Sequence, residues 1–263
     1  MPTVLPRLPL VIAAALDAGI PATQRYEFAP INIDGTRIED AQPIKQGDLA
    51  DIVLRSSNVG AAKLGAQLGA AKLHRALTAF RVDQFPINAP AGGEMMPLPA
   101  PNTWTALMTA KFAIGNGVRI SPLGLAEAYA VLANGGSYSH DITGEAPQAT
   151  SGGQTIVVQP ASAHAVLGMM ERVVADPAGT GTRAAIANVR VAGKTGTTPI
   201  VDAQGKAVAN RWWSSFVGVF PAEAPEYIIV VAADVERTSD YSGGIVAAPL
   251  FARIGAALSG QAH

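Results

Sequence analysis

The stretch Val189-Arg190-Val191-Ala192-Gly193-Lys194-Thr195-Gly196-Thr197-Thr198-Pro199 decides how the fold is read. Residues 189–192 are apolar and β-branched apart from Arg190, so they read as a strand running into Gly-Lys-Thr-Gly. A phosphate-binding loop is one candidate for Gly193-Lys194-Thr195. It needs glycine five residues earlier, where this chain has Asn188. It must also open a helix whose N-terminus holds the phosphate, whereas Pro199, a turn-rich stretch and another strand follow here. The alternative is a strand edge that pairs an extended peptide. On such an edge Gly196 lets a second backbone come close. Lys194 supplies a positive charge and Thr195 a hydroxyl for a carboxylate. The Thr197 N–H can face a developing oxyanion. Taken alone, the tripeptide reads equally well as a charged strand end beside a turn.

Working outward, residues 212–220 and 227–235 repeat the apolar, β-branched and aromatic pattern of 189–192, with turn segments between them. They predict three sequential antiparallel strands, closed by a helix over 246–258. Upstream, apolar spacing predicts helices over 10–18 (ended by Gly19), 48–54, 59–68, 72–80, 122–134 and 161–174. Asp34-Gly35 marks a hairpin within the turn-rich 21–46. Residues 85–103 carry five prolines and two adjacent glycines and read as a long irregular loop, with Trp104 near its end either rimming a cleft or packed. Helices, then a meander, then one helix is the order of helices covering an antiparallel sheet.

Composition narrows the function. The chain has 263 residues, 49% hydrophobic against 15% charged, which supports a real core and excludes a disordered chain. A net charge of −1 argues against a nucleic-acid partner. With Cys 0 there are no disulfides, thiolate zinc sites or cysteine nucleophiles. His74, His140, His164 and His263 lack metal-ligand spacing, so neither metal nor cofactor is expected. The longest apolar runs, 10–16 and 227–233, fall well short of the roughly 20 residues that span a bilayer. Residues 1–19 faintly resemble a secretory signal, but an ordinary helix with proline in its first turn accounts for the same pattern.

A second motif is Ser56-Ser57-Asn58-Val59-Gly60, at a break between two predicted helices. A Ser56 hydroxyl and an Asn58 amide two residues apart can enter one cleft, one relaying a proton and the other bonding a substrate amide. Ser and Asn also cap helices routinely. The two motifs gain force from occurring together, in this order and on these elements.

With both in hand, the sequence resembles the transpeptidase domain of class B penicillin-binding proteins, especially the septal cell-division type. The resemblance runs from about residue 10 to 251. It rests on Ser56-Ser57-Asn58-Val59-Gly60-Ala61-Ala62-Lys63, Gly115-Asn116-Gly117 with Ser121-Pro122-Leu123, and Ala133-Asn134-Gly135-Gly136. It continues through Gly179-Thr180-Gly181-Thr182-Arg183-Ala184-Ala185, Lys194-Thr195-Gly196-Thr197, Ser215-Phe216-Val217-Gly218 and Tyr241-Ser242-Gly243-Gly244 with Ala247-Ala248-Pro249. It implies an α/β fold of the β-lactamase/D,D-transpeptidase type, with helices on both faces of an antiparallel sheet. It implies acyl transfer on peptidoglycan stem peptides, inhibition by β-lactams, division-machinery partners, and a place at the periplasmic face of the bacterial inner membrane. In that scheme Ser56 passes a proton to the leaving amine and Asn58 holds the substrate amide. Lys194 and Thr195 bind the terminal carboxylate beside Gly196, and the Thr197 N–H serves the oxyanion. The nearest enzymatic rival is a serine β-lactamase.

One family motif is missing. The Ser-x-x-Lys that supplies the nucleophile would fall with its serine at Leu5 and its lysine at Leu8. None of the residues three before Lys45, Lys63, Lys72, Lys111, Lys194 or Lys206 is Ser or Thr, so the chain contains no Ser-x-x-Lys at all. Thr3 has no lysine one turn away. Losing a serine nucleophile costs on the order of 10⁶ in rate, so no acyl-enzyme is expected from this chain. The expectation is one partial domain over 1–263, without the family's first helix, first two strands, nucleophile motif and membrane anchor. A truncated or frame-shifted copy is preferred over a non-catalytic stem-peptide-binding or division scaffold module, because binding alone would not obviously keep Ser56, Asn58, Lys194 and Thr195 together. The main sheet is then expected to hold three strands, with 227–235 on its rim.

Overall fold

The computed structural model describes residues 6–84, 97–118, 120–138, 155–202, 206–237 and 240–260. Its main sheet is an antiparallel meander of β7 (Ala192–Val201), β8 (Ala207–Phe220) and β9 (Tyr227–Glu236), with β9 at one edge. Alternation along β8 builds both layers. Val217 and Val219 point into the larger core with Ile228, Val230 and Ala232 of β9. Phe216 and Phe220 point the other way, onto α8 (Ala247–Leu258), where both rings meet Phe251.

The larger core is built by helices. These are α1 (Leu8–Asp17), α2 (Leu49–Arg55), α3 (Asn58–Leu68), α4 (Ala70–Ala79), α5 (Ala106–Ile114), α6 (Pro122–Ala133) and α7 (Pro160–Ala175). Small two-stranded ribbons decorate them. They are β1 (Tyr26–Glu27) with β4 (Gln46–Gly47), β2 (Ile31–Ile33) with β3 (Thr36–Ile38), and β5 (Ser137–Tyr138) with β6 (Thr155–Ile156). The expected hairpin turns at Asp34 (φ 48°) and Gly35 (φ 77°). Each helix that positions the site is cut to length by its ends. Asp48 and Asp51 form a reciprocal capping box at the start of α2. The Ser121 hydroxyl caps α6 by accepting the Gly124 N–H at 3.0 Å.

Two expectations need correcting, and one alternative left open is decided. The apolar run 189–192 is not the strand: Val189 makes only an isolated bridge to Ile186, and β7 begins at Ala192 and carries Gly193–Pro199 in register with β8. Pairing with β8 outweighs the turn-like composition of this segment, since β-propensity is subordinate to strand context. Helix α5, capped by the Thr105 hydroxyl, lies where no helix was read. Trp104 is a packing residue: its ring sits 4.5 Å from Phe112 and 5.6 Å from His74, and its indole N–H donates to the Pro99 carbonyl. Thr3, Leu5, His140, His263 and residues 85–96 of the proline-rich segment lie outside the described residues.

Candidate active site

The two motifs meet. The α2–α3 junction turns sharply because Ser56, at the end of α2, adopts the left-handed conformation (φ 55°, ψ 46°), which is uncommon for a non-glycine residue. Ser57 then caps α3, its hydroxyl accepting the Gly60 N–H at 2.9 Å and donating to Asp40 at 2.6 Å. The other Asp40 oxygen accepts the Val59 N–H at 2.9 Å, and the Asn58 amide donates to the Glu39 carbonyl at 3.1 Å. The junction is thus pinned from outside by residues 39 and 40, and Ser56 is left pointing at the sheet. Lys194 reaches it from β7: its Nζ donates to Ser56 Oγ at 2.8 Å and to the Thr195 carbonyl at 3.1 Å.

Lys194 is 1% exposed, and burial lowers its pKa to about 7. The fixed positive charge expected from sequence is therefore a titrating one near neutrality. The neighbouring hydroxyls are also arranged. Thr195 and Thr180 share a hydrogen bond at 2.8 Å, and Thr197 Oγ1 accepts the Gly243 N–H at 3.0 Å. The first pair holds two O–H protons and spends one on itself, while Thr197 keeps its own proton, so both can still donate to an oxyanion. Gly243 must be glycine. A Cβ there would lie 2.3 Å from the Ser215 carbonyl oxygen and 2.6 Å from that of Gly196.

Two hollows flank this strand. One, of about 200 Å³, lies among Arg7, Leu8, Ser56, Asn58, Lys194 and Thr197. The other, of about 460 Å³, opens between Arg55, Arg183, Ser56, Thr180, Thr195 and Thr197. Among the described residues neither is lined by an acidic side chain, and each is lined by at least one arginine, so both favour an anion. Gly196 borders both, but not for the reason expected. The space its Cβ would fill is taken by Ser215 Oγ at 2.6 Å and Pro6 Cδ at 2.9 Å, so its lack of a side chain serves internal packing.

Arg7, Thr180 and Asp40 were not singled out by sequence reasoning as site residues. Arg7 is fully buried. It donates to the Val118 carbonyl at 2.7 Å and to that of Gly115, and burial lowers its pKa to about 9. The Tyr129 hydroxyl holds the same segment through the Pro6 carbonyl at 2.9 Å. Leu8 stands on the wall of the smaller hollow as a buried apolar side chain. Thr180 was visible only inside the Gly-Thr-Gly-Thr turn, with no role attached. Among the described residues, no group of three or more acidic, His or Cys side chains is placed to hold a metal, and no helix is long and apolar enough to cross a membrane.

Comparison with known proteins gives the family and its relatives. Residues 9–256 match the penicillin binding protein transpeptidase domain. The chain is 31% identical over 249 residues to the peptidoglycan D,D-transpeptidase FtsI of Escherichia coli K12, covering 94% of this chain and 41% of that protein. It is 30% identical over 250 residues to the probable peptidoglycan D,D-transpeptidase PenA of Neisseria gonorrhoeae, covering 94% and 42%. The chain thus spans about two fifths of the length of these relatives. The apo transpeptidase domain of Burkholderia pseudomallei penicillin-binding protein 3 superposes with a TM-score of 0.87 at 26% identity, over 96% of this chain and 77% of that one.

Proposed function

The chain belongs to the penicillin-binding protein transpeptidase family, and from that premise we propose that its cleft receives the D-Ala–D-Ala end of a peptidoglycan stem as the substrate half of a septal cross-linking site. The observation that carries this reading is the 2.8 Å bond from Lys194 to Ser56, which joins the strand motif to the helix-junction motif in one pocket. The stem's carboxylate is held by the spare protons of Thr195 and Thr197 with Lys194 behind them. Its peptide amide meets the Asn58 side chain, Ser56 stands ready to pass a proton to a leaving amine, and the Thr197 N–H faces the oxyanion. By resemblance, the work is done at the periplasmic face of the inner membrane, in company with division proteins.

The family's acyl-enzyme step, on the serine of Ser-x-x-Lys, is absent from these 263 residues, because no serine stands three residues before any lysine. Leu8, where the family lysine would stand, offers no base to the hollow beside Ser56. Binding and chemistry are therefore separable in this chain. Calorimetry with an N-acetylated D-Ala–D-Ala peptide is expected to show saturable binding that weakens when the peptide's carboxylate is amidated. A fluorescent penicillin is expected to leave no band on a denaturing gel. Equal binding of acid and amide would overturn the carboxylate site, and a band would overturn the loss of acylation.

A further inference from the structure

The Ser56–Lys194 contact has a capacity that proton relay does not use. Three features coincide at it. Ser56 is held in a left-handed bend between two helices, a conformation that stores backbone strain in a non-glycine residue, with its hydroxyl turned toward Lys194. Its Oγ lies 2.8 Å from Lys194 Nζ, within reach for direct proton transfer. It lines both hollows and is itself solvent-exposed, while Lys194 is sealed from water. An exposed hydroxyl on a buried amine is the arrangement of an activated nucleophile.

We propose that Ser56 and Lys194 form a self-sufficient nucleophile–base pair, in which Ser56 Oγ is acylated by small activated esters that carry no carboxylate. Ser56 here becomes the attacking atom instead of the relay. The Lys194 amine takes the hydroxyl proton as Oγ bonds to the ester carbonyl carbon. The carbon–oxygen bond to the aryloxide then breaks, and the aryloxide leaves with that proton. Water, deprotonated by the same amine, cleaves the acyl–Ser56 ester, releasing the acid and restoring the hydroxyl. With a fluorophosphonate the phosphorus–oxygen bond forms, fluoride leaves, the proton passes to buffer, and the adduct persists.

The surrounding charges permit this. Arg7 shares the wall of the smaller hollow with Lys194 and Ser56, and Arg55 and Arg183 share that of the wider one with Ser56. On α7, Glu171 is paired with Arg190, and Arg172 with Asp176. Asp40 is committed to Ser57 and Val59. Among the described residues no carboxylate lines either hollow to keep Lys194 protonated, and desolvation brings its pKa to about 7. A ligand carboxylate would do the opposite, pairing with the ammonium and removing the base. That is why the pair discriminates against carboxylate-bearing acyl donors, penicillin included. This last point rests on the proposed stem-peptide reading, while the dyad itself does not.

The test uses a fluorophosphonate probe on the whole chain, with the adduct mapped by peptide mass spectrometry between pH 5.5 and 8.5. The expected result is one phosphonyl group on Ser56, formed at a rate rising about tenfold per pH unit below about 7 and levelling above it. Lys194→Met should slow labelling roughly 100-fold or more. Ser56→Gly, which keeps the left-handed bend, should abolish it. An unlabelled Ser56 in the wild-type chain, or a rate indifferent to pH, overturns the proposal without appeal to any variant. N-acetyl-D-Ala-D-Ala should slow labelling and its amide should not. Labelling that ignores both peptides would leave the dyad standing and remove the carboxylate site.

Discussion

Replacing Lys194 with methionine should make the protein more stable, and by an amount that depends on pH. Lys194 is buried, hydrogen-bonded to Ser56 Oγ and the Thr195 carbonyl, and its pKa falls from 10.5 to about 7. In the unfolded chain the amine keeps its ordinary value, so between about pH 7 and 10.5 the unfolded state binds more protons and stability rises with pH. Below about 7 the ammonium is charged in both states, and the full desolvation cost weighs on the fold. Integrating from pH 6 to pH 9 gives a gain of about 2–3 kcal/mol for the wild-type chain. For a domain of this size that is about 5–10 °C in Tm. Methionine carries no titrating group, so its Tm minus that of the wild type should be larger at pH 6 than at pH 9 by that amount. Every other titrating group is shared and cancels in the difference. Thermal melts followed by circular dichroism at half-unit pH steps provide the curve. A difference that stays flat from pH 6 to pH 9 would show that the amine is not desolvated and that its neighbourhood has been misread.

Other consequences are local. Gly243→Ala drives a Cβ into the Ser215 and Gly196 carbonyl oxygens and should cost about 3 kcal/mol, seen as a lower urea midpoint with unchanged slope. Arg7→Leu strips the donor from the buried Gly115 and Val118 carbonyls and should cost about 2–4 kcal/mol by the same assay. Thr180→Val removes the hydroxyl that orients Thr195, so stem-peptide affinity should fall about 5-fold in calorimetry while the Tm moves by no more than about 2 °C. Asp40→Ala frees the Ser57 hydroxyl and the Val59 N–H at the α3 cap and should lower stability by about 1–2 kcal/mol.

Much of the site could be read from residue order. Ser56 and Asn58 stood at a helix break, and Lys194 followed directly on a strand-like run, so their meeting required only that both motifs face one cleft. Helix ends were legible where capping chemistry is local, as at Ser121-Pro122 and Asp48. What escaped depends on contacts far apart in sequence. The start of β7 at Ala192 instead of Val189 is set by pairing with β8 residue for residue, which no window around position 194 reveals. Arg7 falls in the faintly signal-like residues 1–19 with no site role attached, yet Gly115 and Val118, more than 100 positions away, draw its guanidinium inside. Asp40 sits in a loop without a motif and matters only because the α2–α3 turn is folded against it. The Lys194 pKa is likewise a product of burial, and residue identity alone suggested a permanent charge.

The central claim is that Lys194 and its neighbouring threonines form one carboxylate-binding pocket with Ser56. The most direct measurement is carbon-detected NMR of the Lys194 side chain, labelled at Cε and assigned through Lys194→Met, titrated from pH 5.5 to 10 with and without N-acetyl-D-Ala-D-Ala. The midpoint should lie near 7 in the free protein, move upward with the peptide acid and stay in place with its amide. A midpoint that the acid leaves in place would contradict it.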